Sequence, residues 1–109
     1  MKVHWTERAA KDALGIFDYI ANQSEAYADS VYARILVRSN QLELFPDSGS
    51  IVPEYSRSDI REVFVHSFRL IYRIDGNEVR VLTVIHGSRQ LPPEIPDDGE
   101  PSDEPKSLS

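Results

Sequence analysis

The chain has 109 residues, 40% of them apolar, and no cysteine. That length gives one domain with a single hydrophobic core and excludes a disulfide framework and a thiolate metal site. The net charge of -6 is unevenly spread: residues 91–109 hold six acids and one base, while residues 1–90 hold twelve acids and eleven bases, so the body is nearly neutral and the acidity belongs to a tail.

No apolar run approaches the roughly 20 residues needed to span a bilayer, and the opening MKVHWTE lacks the apolar stretch of a signal peptide. The reading is a cytoplasmic protein with no membrane partner.

In chain order, Lys2–Trp5 is a short strand in which Val3 and Trp5 alternate with Lys2 and His4. Thr6 is placed to cap a helix from Glu7 to Ala21, with Glu7 complementing the helix dipole. Ala10, Ala13, Leu14, Phe17, Ile20 and Ala21 form its core-facing stripe. Gly15 costs about 1 kcal/mol there relative to alanine, and a close helix approach is one reason to keep it. Ser24 caps a second helix from Glu25 to about Phe45, with the stripe Ala28, Val31, Tyr32, Ile35, Ser39 and Leu42. It stops before Pro46, whose ring disfavours helix in the preceding residue. The short link makes the two helices an antiparallel hairpin. Residues 46–50 form a loop, and Val52-Pro53-Glu54 is extended.

Residues 60–89, IREVFVHSFRLIYRIDGNEVRVLTVIHGSR, read as a three-stranded antiparallel meander. Its centre is a hairpin of Phe68–Ile74 against Glu78–His86, turning at Asp75-Gly76. With that tip Arg73 faces Glu78, Tyr72 faces Val79 and Ile71 faces Arg80. A turn at Gly76-Asn77 would set Arg73 against Arg80. Opposed residues share a face. One face collects Phe68, Leu70, Tyr72, Ile74, Val79, Val81 and Ile85; the other Arg69, Ile71, Arg73, Glu78, Arg80, Leu82, Val84 and His86. The order β-α-α-β-β-β predicts an α+β fold: an antiparallel sheet with the helical hairpin on its apolar face. The domain spans residues 1–92. Residues 93–109, rich in Pro, Asp, Glu, Ser and Gly, form an acidic disordered tail.

Phosphate loops, metal-spaced ligand sets and a nucleophile elbow are all missing, and His4, His66 and His86 are too scattered to hold a metal; no metal and no cofactor is expected. The arginine face is the feature that carries chemistry. Arginine's planar fork suits phosphate or carboxylate, and the bland alternative is a solvated face with Arg80 near Asp75. If His66-Ser67 forms a tight turn, Glu62 falls opposite Ile71 on that face. Glu62, Arg69 and His86 then make a base–cation–acid set suited to phosphodiester cleavage, whereas a one-residue slip turns Glu62 to the core.

Trp5-Thr6, Asp18-Tyr19-Ile20, Leu44-Phe45-Pro46 with Gly49, Ile60-Arg61-Glu62, Phe68-Arg69-Leu70-Ile71-Tyr72-Arg73 and Val84-Ile85-His86-Gly87-Ser88-Arg89 together resemble the RelE/ParE toxin superfamily over about residues 3–92. The resemblance implies a growth-inhibiting toxin of a type II toxin–antitoxin system, active in stress responses and neutralised by a cognate antitoxin. It also implies the same β-α-α-β-β-β fold. In the RelE-like branch, a ribosome-dependent endoribonuclease of messenger RNA, Arg69 would stabilise the phosphorane, His86 would protonate the leaving oxygen and Glu62 would take the 2′-OH proton. In the ParE-like branch the target is DNA gyrase and the protein has no catalytic site of its own. Gly87 stands where His-Tyr nucleases carry tyrosine, the meander has no lysine, and the body is nearly neutral. These features place the chain closer to the ParE-like branch, with a non-toxic antitoxin-binding remnant as a further alternative. Arg61, Arg69, Arg73, Arg80 and Arg89 are the candidate contacts for target or antitoxin. Both a homodimer and a toxin–antitoxin hetero-oligomer stay open, and the acidic tail is a candidate to fold back over the arginine face.

Overall fold

A computed structural model describes residues 1–96. In chain order its elements are β1 (Lys2–Trp5), α1 (Glu7–Ala21), α2 (Glu25–Gln41), a 3-10 turn (Pro46–Ser48), β2 (Ser50–Ile51), β3 (Ile60–Val65), β4 (Phe68–Asp75) and β5 (Glu78–His86). The five strands form one sheet in the order β1-β5-β4-β3-β2. The fold is α+β with strand, helical hairpin and meander in the predicted sequence. The sheet is mixed rather than antiparallel throughout, because β1 runs parallel to β5, pairing Lys2 with Glu78 and Trp5 with Val81. Two-residue β2 is an addition at the far edge, opposite Arg61 and Glu62.

Local chemistry accounts for the helix ends. The Thr6 hydroxyl accepts from the Ala9 N–H at 3.1 Å and the Ser24 hydroxyl from the Tyr27 N–H at 3.1 Å, each satisfying one of the donors a helix start leaves open. The second helix ends at Gln41, ahead of the predicted Phe45, because the chain tightens: Leu42, Glu43 and Leu44 N–H groups bond to carbonyls three residues back. On α1 the buried stripe is Ala9, Ala10 and Ala13, with Ile16 and Ile20 packed beside it, while Leu14 is half exposed. The α2 stripe falls as predicted, and the Trp5 indole donates to Ser39 Oγ at 3.1 Å, joining β1 to α2.

A Cβ at Gly15 would meet nothing within 4 Å, so no close helix approach explains this glycine. Gly15→Ala is therefore expected to stabilise the protein by about 0.5–1 kcal/mol, visible as a higher urea midpoint with an unchanged slope. An unchanged or lower midpoint would mean that the missing side chain matters to the fold.

The hairpin register differs from the sequence reading. Asp75 pairs with Glu78, Ile74 with Val79 and Arg73 with Arg80, so the turn is Gly76-Asn77. Gly76 has φ +61 and Asn77 is not among the positive-φ residues, the pattern of a type II′ turn with glycine first. The opposed arginines are tolerated because acids surround them: Arg73 lies 3.5 Å from Asp59, and Arg80 lies 3.8 Å from Asp75 and 3.5 Å from Glu78.

A β-bulge follows, since Tyr72 pairs with Val81 but Ile71 pairs with Thr83. The extra residue reverses the alternation of side chains along the rest of β5. Val84 thereby joins the helix-facing core and Ile85 the opposite face, the reverse of the sequence assignment. The Asp12 carboxylate on α1 seals the bulge, accepting from the Thr83 hydroxyl and, at 3.3 Å, from the Val84 N–H.

The core has two parts. Helices and sheet enclose Trp5, Val31, Ile35, Leu42, Val63, Leu70, Tyr72 and Val81 among others. The buried Tyr72 hydroxyl donates to the Pro46 carbonyl at 2.6 Å and accepts from the Gly49 N–H at 3.0 Å, fixing the loop after α2. The outer face is not simply solvated. Ile60, Ile71 and Leu82 are buried there beneath Val52 and Leu91, with Tyr55, Ile85 and Ile95 alongside. The Tyr55 hydroxyl donates to the carbonyls of Pro92 at 2.8 Å and Glu94 at 3.1 Å. The packed chain thus extends past the boundary drawn at residue 92. The rest of the predicted tail, and the proposal that it folds over the arginines, lie outside the described residues. Among the described residues no helix is long and apolar enough to cross a membrane.

Candidate functional site

The outer face of the meander holds the predicted arginines, and its centre is Arg69. Residue 69 sits on the central strand of the sheet in an apolar run, so its side chain must either reach water or be paired when buried. It is 6% exposed. Nε donates to Glu62 Oε1 at 2.7 Å, and the two terminal nitrogens donate to the two Glu54 oxygens at 3.0 and 2.9 Å. A further bond runs to the Arg89 carbonyl at 3.3 Å. The guanidinium is spent on two carboxylates. The bidentate hydrogen bonds from Arg69 hold the Glu54 carboxyl down at about 2, well below the usual carboxylate range, against the opposing effect of burial. The same bonds keep Arg69 charged above the ordinary arginine range.

Glu62 stands opposite Ile71, where the tight His66-Ser67 turn puts it. His66 takes φ +55 in that turn. Glu62 and Arg69 are therefore neighbours, as the sequence suggested. His86 is not with them. It pairs with Phe68 and meets that ring edge-on at 5.5 Å. Because opposed residues share a face, His86 is on the helix side of the sheet and Arg69 on the other. The predicted set of Glu62, Arg69 and His86 is not assembled, and the bulge at Leu82-Thr83 is the cause. His86 Nδ1 accepts from the Ser88 N–H at 3.1 Å, leaving Nε2 to carry the proton in the neutral ring. Its surroundings are a cleft of about 470 Å³ between α1 and the end of β5, where Lys11, Tyr19 and Arg89 also point.

Each remaining candidate has its own place. Arg61 lies opposite Tyr72, away from Arg69, and donates to the carbonyls of Ser58 and Gly49 at 3.0 Å each, so it holds the 49–58 loop. Arg73 and Arg80 share the outer face with Arg69 beside Asp59, Asp75 and Glu78. Arg89 is exposed in the cleft. His4 is 3.6 Å from Glu78, and His66 meets Tyr27 edge-on at 5.9 Å. Among the described residues no three His, Cys, Asp or Glu side chains are gathered to hold a metal ion.

Sequence reasoning missed Glu54. Its Oε2 also accepts from the Leu91 N–H at 3.2 Å, so one carboxylate ties the loop before β3 to the segment after β5. The available signal was Arg69 itself: a buried arginine within Phe-Arg-Leu-Ile-Tyr demands acids, and Glu54, Asp59 and Glu62 are the three that most closely precede it.

Comparison with known proteins agrees with this architecture. The family model of the ParE toxin of the type II toxin–antitoxin system parDE matches residues 3–91. Among solved structures, the chromosomal ParDE toxin–antitoxin system from P. aeruginosa is similar at a TM-score of 0.66 and 22% identity, over 79% of this chain and 95% of that one, which speaks for the shared fold. No curated protein sequence matches. With a family model covering most of its length and the strand, helical hairpin and meander in the same order, the chain belongs to the ParE family of type II toxin–antitoxin toxins.

Proposed function

We propose that this protein acts in the cytoplasm as a toxin that inhibits DNA gyrase by binding it, and that a cognate antitoxin neutralises it. The observation that carries the reading is the state of Arg69. A ribonuclease would need that guanidinium to meet a phosphate, and here Glu54 and Glu62 take its donors while His86 lies across the sheet. A protein that poisons by contact has no such need, since its surface and not a proton relay does the work. The acid-paired state of Arg73 and Arg80 supports the same reading, because phosphate attraction by this face is weakened.

The test is a supercoiling and cleavage assay with purified gyrase and plasmid. Micromolar protein is expected to block supercoiling and to accumulate cleaved plasmid, and added antitoxin is expected to restore activity. Growth arrest with unaffected gyrase and cleaved ribosome-bound messenger RNA would transfer the protein to the nuclease branch. Harmless expression of a folded protein would leave an antitoxin-binding remnant.

A further inference from the structure

We propose that the cleft between α1 and the end of β5 binds a free nucleoside monophosphate, with the phosphate on Lys11, His86 and Arg89 and the base against Tyr19 and Phe68. The proposal is independent of the macromolecule on which the protein acts. Shape, unspent donors and net charge each point to it.

Shape comes from a glycine that the fold does not require. Lys11, Gly15 and Tyr19 follow one another at spacings of four on α1, so they lie along one face of the helix, and all three line the cleft. Glycine inside a helix is destabilising relative to alanine, and a Cβ at Gly15 would meet nothing within 4 Å. Packing within the protein therefore gives no reason for the bare position. What it provides is an open stretch of helix surface between an ammonium group and a phenol, about 12 Å apart along the axis from the helical rise. The cleft encloses about 470 Å³, within the usual range of small-ligand sites.

The donors facing this space are not used by the fold. Arg89 serves the fold through its carbonyl, while its exposed guanidinium has no partner among the described residues. His86 Nδ1 takes the Ser88 N–H, which leaves Nε2 to donate. Lys11 meets Glu7 only at 4.0 Å in a solvated pair. A phosphate accepts from all three kinds of group. Beside them stand the exposed Tyr19 ring and Phe68, which packs edge-on against His86 at 5.5 Å; aromatic rings of this kind stack on any nucleobase. Charge narrows the class. Lys11 and Arg89 against Asp12 leave one net positive charge on the lining when His86 is neutral. Asp12 is fixed there by Thr83 and the Val84 N–H, so a single phosphate is matched and a triphosphate meets a carboxylate. A nucleic-acid strand would bring a row of phosphates to a body with twelve acids and eleven bases in residues 1–90. Inorganic phosphate leaves the aromatic wall unused, and a nucleoside leaves the cations unmet.

The probe is adenosine 5′-monophosphate, titrated into the full chain and followed by calorimetry and by amide NMR shifts. Binding with a dissociation constant below about 1 mM is expected, with shifts centred on residues 11–19 and 84–89. Adenosine, inorganic phosphate and adenosine triphosphate are each expected to bind about tenfold more weakly or worse. Gly15→Leu fills the open stretch of α1 with a better helix former, so its melting temperature should hold or rise while affinity for the monophosphate falls about tenfold or more. Arg89→Ala, at an exposed position, should lose a similar factor through the missing charge; it decides the matter on its own if Gly15→Leu melts early. No binding at millimolar monophosphate, wild-type affinity in folded Arg89→Ala, or shifts confined to another face overturns the site. Tighter binding of adenosine triphosphate or of a short single-stranded oligonucleotide overturns the assignment to a free monophosphate.

Discussion

Arg69→Ala is expected to destabilise the protein by about 3–5 kcal/mol, the range seen when one partner of a buried ion pair is removed. The substitution leaves the side chains of Glu54 and Glu62, only 20% and 10% exposed, facing each other without a cation. It also frees the Arg89 carbonyl and loosens the segment after β5. Guanidinium chloride titration measures the effect as a large fall in midpoint. His86→Ala is the control. Its ring is exposed and its nitrogen bonds are local, so a change within about 0.5 kcal/mol is expected. An Arg69→Ala variant as stable as wild type would mean that the arginine is held for its chemistry and not for the fold. The pair of variants also guards against a false conclusion, since loss of toxicity in Arg69→Ala would follow from unfolding alone.

Acid should unfold the protein through the same cluster. Glu54 has its folded pKa depressed from 4.5 to about 2. A depressed carboxylate contributes stability that is fully present above the unfolded value and is lost as pH falls toward the folded one. The contribution is about 2–3 kcal/mol, allowing for the part of the group that water reaches. It should vanish between roughly pH 5 and pH 2. Melting temperatures of wild type and Glu54→Gln across that window test this directly. The variant is expected to start lower at neutral pH and to show a shallower decline, so that the two curves converge in acid. Parallel curves would assign the acid sensitivity to other carboxylates.

The arrangement has a consequence for a toxin of this family. Arg69, Glu54 and Tyr55 fasten residues 89–95 across the outer face, so that face is built and closed before any partner arrives. Concave surface is left at the margins: the α1–β5 cleft with Lys11, His86 and Arg89, and the groove at β3. Arg69 on the central strand is tied into the fold, whereas Arg89 beyond the end of β5 is exposed.

Of the two registers the sequence left open at the β3–β4 turn, the structure takes the one that sets Glu62 opposite Ile71; what the sequence carried unaided is the order of strand, helical hairpin and meander, both helix caps, the α2 stripe and the family. These follow from short-range chemistry: hydroxyls that cap, periods of two and 3.6, and motifs read in order. Tertiary structure alone decided the rest. The type II′ turn at Gly76-Asn77 displaced the expected register, because Asp59 from before β3, together with Asp75 and Glu78 beside the turn, offsets the charge of the opposed Arg73 and Arg80. One extra residue at Leu82-Thr83, stabilised by Asp12 from α1, then turned His86 to the helix side and separated it from Arg69. Glu54 became Arg69's main partner only once the loop before β3 folded over the sheet. A strand's alternation is a local rule, but where it starts and where it slips is set by residues tens of positions away, and that is why the arginine face was visible in the sequence and its use was not.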